Sequence, residues 1–204
     1  MVRRIVLKLF CVAAIVLSTY LFSALVLIFN PLFYAEIGAD SETAKELTTQ
    51  FVDYLRSPSF AAAQIPRLTE KENSHLLDVK KIIFGLQILL LLMLLMLVVL
   101  HNHVMLKVLL YSGIAIFLLP LLLYILPFDA LFLQFHYTFF PQGNWQFDAA
   151  TTTLVNIYPE EFFMKFFARI VVHGWMIGSV VLYTLNKRKR IFRFKHTFSI
   201  TAKV

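Results

Sequence analysis

Four apolar runs, each long enough to cross a lipid bilayer, constrain the fold of this chain more than any other feature. A helix needs about 20 residues to cross a hydrocarbon core of roughly 30 Å. The runs cover residues 5–30, 81–100, 104–126 and 166–185. With 204 residues, 59% of them hydrophobic, and a mean hydropathy of +0.75, the chain has more apolar surface than a soluble core of its size can bury. The sequence therefore predicts an all-α polytopic membrane protein, with four transmembrane helices in a single membrane domain.

Charged residues are sorted between the segments that flank these runs. All 12 acidic residues lie in two segments, 31–79 and 127–165. The two ends and the short middle connection carry basic residues and no acid: Arg3, Arg4, Lys8, Lys107, Lys187, Arg188, Lys189, Arg190, Arg193, Lys195 and Lys203. The positive-inside rule then places both termini in the cytoplasm and the two acidic segments outside, as an extracellular cap. The basic tail, 186–204, is a sufficient anchor for anionic membrane lipid, so no nucleic-acid partner is predicted.

The outer segments contain signals for helices of their own. Asp40 or Ser41 is the expected N-cap of a helix with one apolar face, which should lie on the membrane or on the second outer segment. Thr69 and Glu72 have the spacing of a capping box and predict a helix that continues into the second run. The apolar stretch 129–140 predicts a helix at the membrane interface.

Two features predict how the spans pack. Gly174 and Gly178 form a small-xxx-small face, which favours close approach of the fourth span to a neighbouring helix. The second and third runs are joined by little more than residues 101–103, so they should be antiparallel neighbours.

Of the six histidines, His75 and His136 are the two that fall on the predicted outer side close to a membrane boundary. Histidine exchanges protons near neutral pH, so a pair facing one pocket could deprotonate a nucleophile and protonate a leaving group. The competing interpretation is that both are interfacial histidines whose hydrogen bonds are satisfied by Glu72, Asp78 or Asp148.

Other chemistries are poorly supported by the sequence. There is no G-x-S-x-G motif, and the sole cysteine, Cys11, lies near the predicted cytoplasmic face. His101 and His103 would supply only two metal ligands in a tight turn. His173 has no partner histidine at a similar depth in another run, which argues against bis-histidine haem ligation, and it is expected to be a packed, hydrogen-bonded residue. No metal and no organic cofactor is predicted.

Two motifs in the outer segments are similar to those of a known family. The first is E-x-x-H-L-x-D-V-K at residues 72–80. The second is F-H-x-x-F-F at 135–140, followed by W-x-F-D at 145–148 and P-E-x-F-F at 159–163. Over essentially its whole length the chain resembles the lipoprotein intramolecular transacylases, four-span enzymes of bacterial, mainly Gram-positive, plasma membranes.

This resemblance implies a reaction and a substrate. Such enzymes take a lipoprotein whose N-terminal cysteine carries a diacylglyceryl group, and move the sn-2 acyl chain onto the α-amine of that cysteine. The product is an N-acyl lyso-lipoprotein. The two catalytic histidines of the family correspond to His75 and His136, under an extracellular cap, with no cofactor.

The resemblance also suggests supporting roles for nearby residues. Asp78 could orient His75 or contact Lys81, while Glu72 and Asp148 could hold the substrate ammonium group. An aromatic substrate pocket that excludes water is expected from Tyr54, Phe135, Tyr137, Phe139, Trp145 and Phe147. Candidate oxyanion-hole groups are Asn144, Gln146, Tyr137 and the amides near Gly143.

Two alternative functions compete with this interpretation. One is a non-enzymatic membrane sensor or assembly module, which should tolerate Asn or Gln in place of His75 and His136. The other is a lipase-like hydrolase, which would release free fatty acid. The identity of the general base and the oligomeric state are left open by the sequence.

Overall fold

The computed structural model describes the backbone of residues 2–100 and 106–201, and this part of the chain is all-helical, without strands. The helices are α1 (Val2–Ile28), α2 (Pro31–Glu36), α3 (Glu42–Arg56), α4 (Glu70–Val99), α5 (Leu106–Tyr124), α6 (Phe128–Phe139), α7 (Thr153–Ile157) and α8 (Glu160–Thr201). The all-α prediction is therefore confirmed for the described residues.

Among the described residues, three helices are long and apolar enough to cross a membrane: α1, α4 and the Glu160–Thr184 part of α8. Helix α5 is shorter, with its apolar part at Val108–Leu122. Its 19 residues correspond to about 28 Å of helix. Several apolar helices of this length agree with the predicted membrane protein. Helix α8 does not end with the apolar run but continues to Thr201, through much of the basic tail.

Helix α1 is the central helix of the bundle, because it packs against α4, α5 and α8. One apolar cluster joins Cys11 and Ile15 of α1 to Val108 and Ile116 of α5, and Leu100, just after α4, packs against it. Helices α4 and α5 share this cluster only near their connected ends, and among the described residues they do not form the extended antiparallel pair that the short connection predicted. Along the rest of its length, α4 packs mainly against α1.

The two glycines of α8 lie where neighbouring helices approach most closely. A Cβ atom added to Gly174 would lie 2.5 Å from Cε1 of Tyr20, and one added to Gly178 would lie 3.1 Å from Cδ1 of Ile116. The Trp175 indole donates a hydrogen bond to the Ile116 carbonyl at 3.0 Å, and the Tyr20 hydroxyl donates to the same carbonyl. The close packing predicted for Gly174 and Gly178 is confirmed, with α1 and α5 as the neighbours of α8.

The first outer segment folds back over the end of α1. Ser41 is the N-cap of α3, since its hydroxyl accepts a hydrogen bond from Ala44 N at 3.1 Å. The apolar face of α3 is buried, and one cluster joins Leu47 to Leu25 of α1 and Leu154 of α7. Helix α3 therefore contacts the second outer segment, one of the two surfaces expected for its apolar face.

The start of α4 and the position of α6 bring the two outer segments together. The capping box is present: Thr69 Oγ accepts from Glu72 N, and Glu72 Oε2 accepts from Thr69 N. Helix α6 forms close to the expected range and packs on α8, with Phe132 and Phe163 ring centroids 5.3 Å apart. These two local structures fix the backbone from which His75 and His136 project.

Candidate active site

His75 and His136 lie with their rings nearly parallel. His75 lies in the second turn of α4, and His136 lies in the last turn of α6. Their ring centroids are 6.4 Å apart, with the planes inclined by 23°. No hydrogen bond joins the two rings to each other in the described part of the chain. Residues 31–79 and 127–165 thus bring the predicted pair close together.

Aromatic rings enclose both imidazoles. Phe140 is only 2% exposed and contacts both rings, with its centroid 4.7 Å from that of His75 and 5.6 Å from that of His136. Phe147 packs edge-on against His75 at 5.5 Å. The other rings around His136 are those of Phe132 at 4.3 Å, Trp145 at 4.7 Å and Phe135 at 5.4 Å. Aromatic walls of this kind lower the local dielectric around the imidazoles.

The hydrogen bonding of His136 fixes its tautomer. Nδ1 lies 2.7 Å from the carbonyl oxygen of Phe132, which can only accept, so Nδ1 carries the proton and donates it. In the neutral ring, Nε2 then holds the lone pair. Burial lowers the pKa of His136 below its ordinary 6.5, against the opposing effect of the Phe132 carbonyl. Near neutral pH, His136 is therefore an uncharged imidazole with a basic Nε2.

His75 is more deeply buried, with 9% of its surface exposed. Burial lowers the pKa of His75 to about 4, and the nearby His136 adds to this effect, whereas the Asn144 side chain and the Asp78 charge oppose it. The Nδ1 atom of His75 is buried and has no hydrogen-bond partner among the described residues. A buried polar atom without a partner is unfavourable unless a water or ligand atom satisfies it. His75 thus offers an unused ring nitrogen inside the aromatic enclosure.

Glu72 joins the helix of His75 to the second outer segment. The side chain is fully buried. Oε1 accepts a hydrogen bond from Leu154 N at 2.8 Å, and Oε2 accepts from both the amide and the hydroxyl of Thr69, each at 2.8 Å. Both oxygens are occupied by donors of the fold, so this carboxylate acts within the scaffold in the structure.

Asp78 forms a second connection between the two segments. Its Oδ2 accepts from the side-chain amides of Gln142 and Asn144, both at 2.7 Å. Oδ1 pairs with Lys81 at 3.0 Å. Burial tends to raise the pKa of Asp78, but these donors outweigh it and hold the pKa below the ordinary range. Asp78 therefore acts on the turn that precedes Trp145, and makes no hydrogen bond to His75 in the described structure.

The other predicted site residues lie farther from the imidazoles. No ring contact or hydrogen bond joins Tyr54, Tyr137, Phe139 or Asp148 to His75 or His136 within the described ranges. Their observed partners are Ala61 O for the Tyr54 hydroxyl, the Trp145 ring for Tyr137, the Phe135 ring for Phe139 and Ala150 N for Asp148. Tyr137 and Phe139 are more than half exposed, so they face outward from the enclosure.

Two rings that touch the histidines are missing from the pocket predicted by sequence. Phe132 and Phe140 precede and follow His136 by four residues, the spacing that places side chains on one helical face. A helical-wheel projection centred on His136 would have identified both. Gln142, which binds Asp78, is recognisable only once the turn is folded.

Metal ligation has no support in the described residues, where no group of three or more His, Cys, Asp or Glu side chains is placed to hold an ion. The turn with His101 and His103 lies outside the described residues. His173 donates from Nδ1 to the Arg169 carbonyl at 2.9 Å, the hydrogen-bonded state predicted for it.

Comparison with known proteins identifies the family. The sequence model described as lipoprotein intramolecular transacylase Lit matches residues 1–163, which include both histidines and their aromatic enclosure. The chain belongs to the Lit family. It is therefore a membrane-integral lipoprotein intramolecular transacylase, an acyltransferase that acts on lipoproteins.

Solved structures have the same fold. The membrane integral lipoprotein intramolecular transacylase Lit from Bacillus cereus aligns with a TM-score of 0.73 and 22% identity, covering 93% of this chain and 98% of that one. Two variants of the Bacillus cereus protein, in which one histidine is replaced by arginine or by alanine, each align with a TM-score of 0.70 and 23% identity over 93% of this chain. The alignments cover 94% of the arginine variant and 96% of the alanine variant. A search of curated proteins finds no match.

Proposed function

We propose that this Lit family member moves the sn-2 acyl chain of a diacylglyceryl-cysteine lipoprotein onto the α-amine of the same cysteine, with His75 and His136 as the catalytic residues. One observation carries the proposal: two uncharged imidazoles face each other at 6.4 Å inside an aromatic enclosure. One ring nitrogen of each is left without a hydrogen bond to the protein.

His136 is the general base in this mechanism. Its Nε2 holds the lone pair, because Nδ1–H is committed to the Phe132 carbonyl. An α-amine has a pKa of about 7.7–8.0, so a substantial minority is already neutral near pH 7. The amine nitrogen attacks the sn-2 ester carbonyl, the C–N bond forms, and Nε2 takes the proton that the nitrogen loses.

His75 acts on the oxygen side of the same reaction. In the tautomer that carries its proton on the buried, unpaired Nδ1, His75 donates a hydrogen bond to the oxygen that becomes negative in the tetrahedral intermediate. When the C–O bond to the glyceryl group breaks, the proton held by His136 passes to the leaving oxygen. Both histidines return to the neutral state, and the mass of the substrate is unchanged.

The aromatic enclosure serves the positioning of a flexible substrate. The amine and the ester belong to one molecule but are separated by several rotatable bonds, and ordering them can contribute up to ~7–11 kcal/mol to lowering the barrier. Phe140 and Phe147, which pack directly on His75, restrict the space in which the headgroup can fold back. Excluding water from the same space protects the ester from hydrolysis.

The proposal includes a placement in the bacterial plasma membrane. Helices α1, α4, α5 and α8 are its four spans, within the predicted ranges 5–30, 81–100, 104–126 and 166–185. Both termini are cytoplasmic, and segments 31–79 and 127–165 form the extracellular cap with the active site. The restriction of acidic residues to these two segments supports this orientation.

Tandem mass spectrometry of the N-terminal peptide of a diacylated lipoprotein tests the catalytic assignment. Wild-type protein should move one acyl chain to the amine at unchanged total mass, and His75→Asn and His136→Asn should not. His173→Asn is the matched control, because His173 lies on α8 outside the enclosure and should leave transfer intact. Transfer by either site variant at the wild-type rate would refute the paired mechanism, and release of free fatty acid by the wild type would favour a hydrolase.

Labelling with a membrane-impermeant maleimide tests the orientation. Cys11, the sole native cysteine, is fully buried and should give little background. In intact cells, a cysteine replacing Asp148 should react, whereas one replacing Lys187 should react only after permeabilisation. The reverse pattern would overturn the placement of the cap outside.

A further inference from the structure

Lys80 is a buried lysine on the helix that carries His75. Only 3% of its surface is exposed, although it lies at the point where α4 enters its apolar run. Its Nζ donates to the carbonyl oxygens of Tyr54 at 2.6 Å, Ser57 at 2.8 Å and Ser59 at 2.7 Å. The Ser57 hydroxyl, at 2.8 Å, is a fourth acceptor. Three ammonium protons are therefore fully used by oxygens of the first outer segment.

Uncharged oxygen atoms, and no carboxylate, stabilise the positive charge of Lys80 among the described residues. No Asp or Glu forms an ion pair with it in the described part of the chain. Instead, Nζ lies at the C-terminal end of α3, where the carbonyl dipoles carry partial negative charge. It also lies 4.4 Å from the Tyr54 ring centroid and 5.5 Å from that of Phe60, close enough for cation–π attraction. A buried ammonium with this many partners holds its surroundings rigidly, because each carbonyl it leaves would lose its donor.

We infer that Lys80 is a positioning residue of the transacylase site, which holds the end of α3 and the loop after it against the helix of His75. The inference rests on the proposed function of His75 and His136. Lys80 does not exchange protons with the substrate, since all its protons are committed within the fold. Lys80 acts through Tyr54, because its ammonium group contacts both the backbone carbonyl and the ring face of Tyr54.

Tyr54 connects Lys80 to the site. Burial and the negative charge of Asp78 both raise the pKa of Tyr54. Tyr54 packs against the same apolar cluster as Phe147, the ring that contacts His75 edge-on. Releasing Tyr54 and its loop would therefore loosen the apolar cluster on which Phe147 packs, and would admit water to the ester.

The test measures how the acyl chain divides between two products. Purified Lys80→Met protein in phospholipid nanodiscs is given a diacylated lipoprotein, and N-acyl product and free fatty acid are both quantified. We expect the ratio of free fatty acid to N-acyl product to rise by about tenfold or more over the wild type, because water competes with a poorly positioned amine. Lys45→Met, the same substitution at an exposed lysine of α3, should leave the ratio unchanged.

A merely structural role predicts a different result. Loss of folded protein lowers both products in parallel and keeps their ratio, and that outcome for Lys80→Met would refute the inference. If the Lys80→Met protein does not accumulate, Ser57→Ala can be used instead, because it removes one of the four acceptors of Lys80. It should raise the ratio of free fatty acid to N-acyl product to a smaller extent, and an unchanged ratio would refute the inference equally. Retained transfer by His75→Asn and His136→Asn would instead overturn the proposed function, so the two failures are distinguishable.

Discussion

Replacing Glu72 with glutamine should destabilise the protein although the two side chains have nearly the same shape. The carboxylate accepts three hydrogen bonds while fully buried: one from Leu154 N, and two from the amide and hydroxyl of Thr69. A glutamine has one acceptor oxygen and an NH2 group. Whichever way it turns, the NH2 group faces a backbone N–H of Leu154 or Thr69, and that donor is left unsatisfied.

The magnitude follows from the groups involved. An unsatisfied buried donor costs about 1–3 kcal/mol, and hydrogen bonds to charged groups contribute about 1.5–3 kcal/mol each. Glu72→Gln should therefore lower the free energy of unfolding by about 3 kcal/mol. For a chain of this length, that corresponds to a Tm lower by roughly 6–12 °C.

Thermal unfolding of the detergent-solubilised protein, followed by tryptophan fluorescence, measures this change. Glu70→Gln is the matched control, since Glu70 lies two residues earlier and its side chain is exposed. It should shift the Tm by no more than about 4 °C, the effect of a charge near a helix N-terminus. If Glu72→Gln and Glu70→Gln unfold at the same temperature, the connection between α4 and α7 does not depend on the carboxylate, and the reasoning is wrong.

Three further predictions concern pH, packing and the Asp78 connection. The rate of transfer should rise with pH around pH 8, where the substrate amine loses its proton, and should show no inflection at pH 6.5. Burial holds the pKa of both imidazoles below 6.5, so they stay neutral as the pH falls through that value. An inflection of the rate at pH 6.5 would contradict this. Gly174→Ala should lower the Tm by the equivalent of about 1–3 kcal/mol, because its Cβ would meet Tyr20 at 2.5 Å. Gly85→Ala, where nothing lies within 4 Å, should not lower the Tm, and equal effects at the two positions would argue against close packing. Asp78→Asn should reduce kcat by about tenfold, the effect of some 1.4 kcal/mol lost in positioning the turn before Trp145. Lys81→Gln, which removes an exposed ion pair, should have little effect on kcat. Full activity of Asp78→Asn would show that the turn does not depend on this carboxylate.

Local signals in the sequence predicted much of the helical structure. The capping box of Thr69 and Glu72 and the N-cap at Ser41 depend on residues three positions apart, so short-range spacing is sufficient to find them. The glycine pair of α8 predicted close packing because a missing Cβ matters for any helix that approaches that face. It did not specify that the neighbours are α1 and α5.

The two histidines were easier to predict from the sequence than the aromatic residues that surround them. His75 and His136 stand out as histidines at membrane boundaries in outer segments. The pocket was predicted from the density of aromatic residues, which does not reveal which way each ring points. Tyr137 and Phe139 consequently face outward. Phe132, on the same helical face as His136, and Phe140, directly after the helix, contact it.

The sequence by itself determined that this chain is a membrane protein of apolar helices, because hydrophobicity and helical spacing are local properties of the chain. Only the tertiary structure decided which groups meet across the two outer segments. Glu72 binds a backbone amide 82 residues away, and Asp78 binds side chains 64 and 66 residues away. The 6.4 Å separation of the two imidazoles likewise depends on how α4 and α6 are held together. Such distances follow from packing over the whole bundle, and no spacing along the chain encodes them.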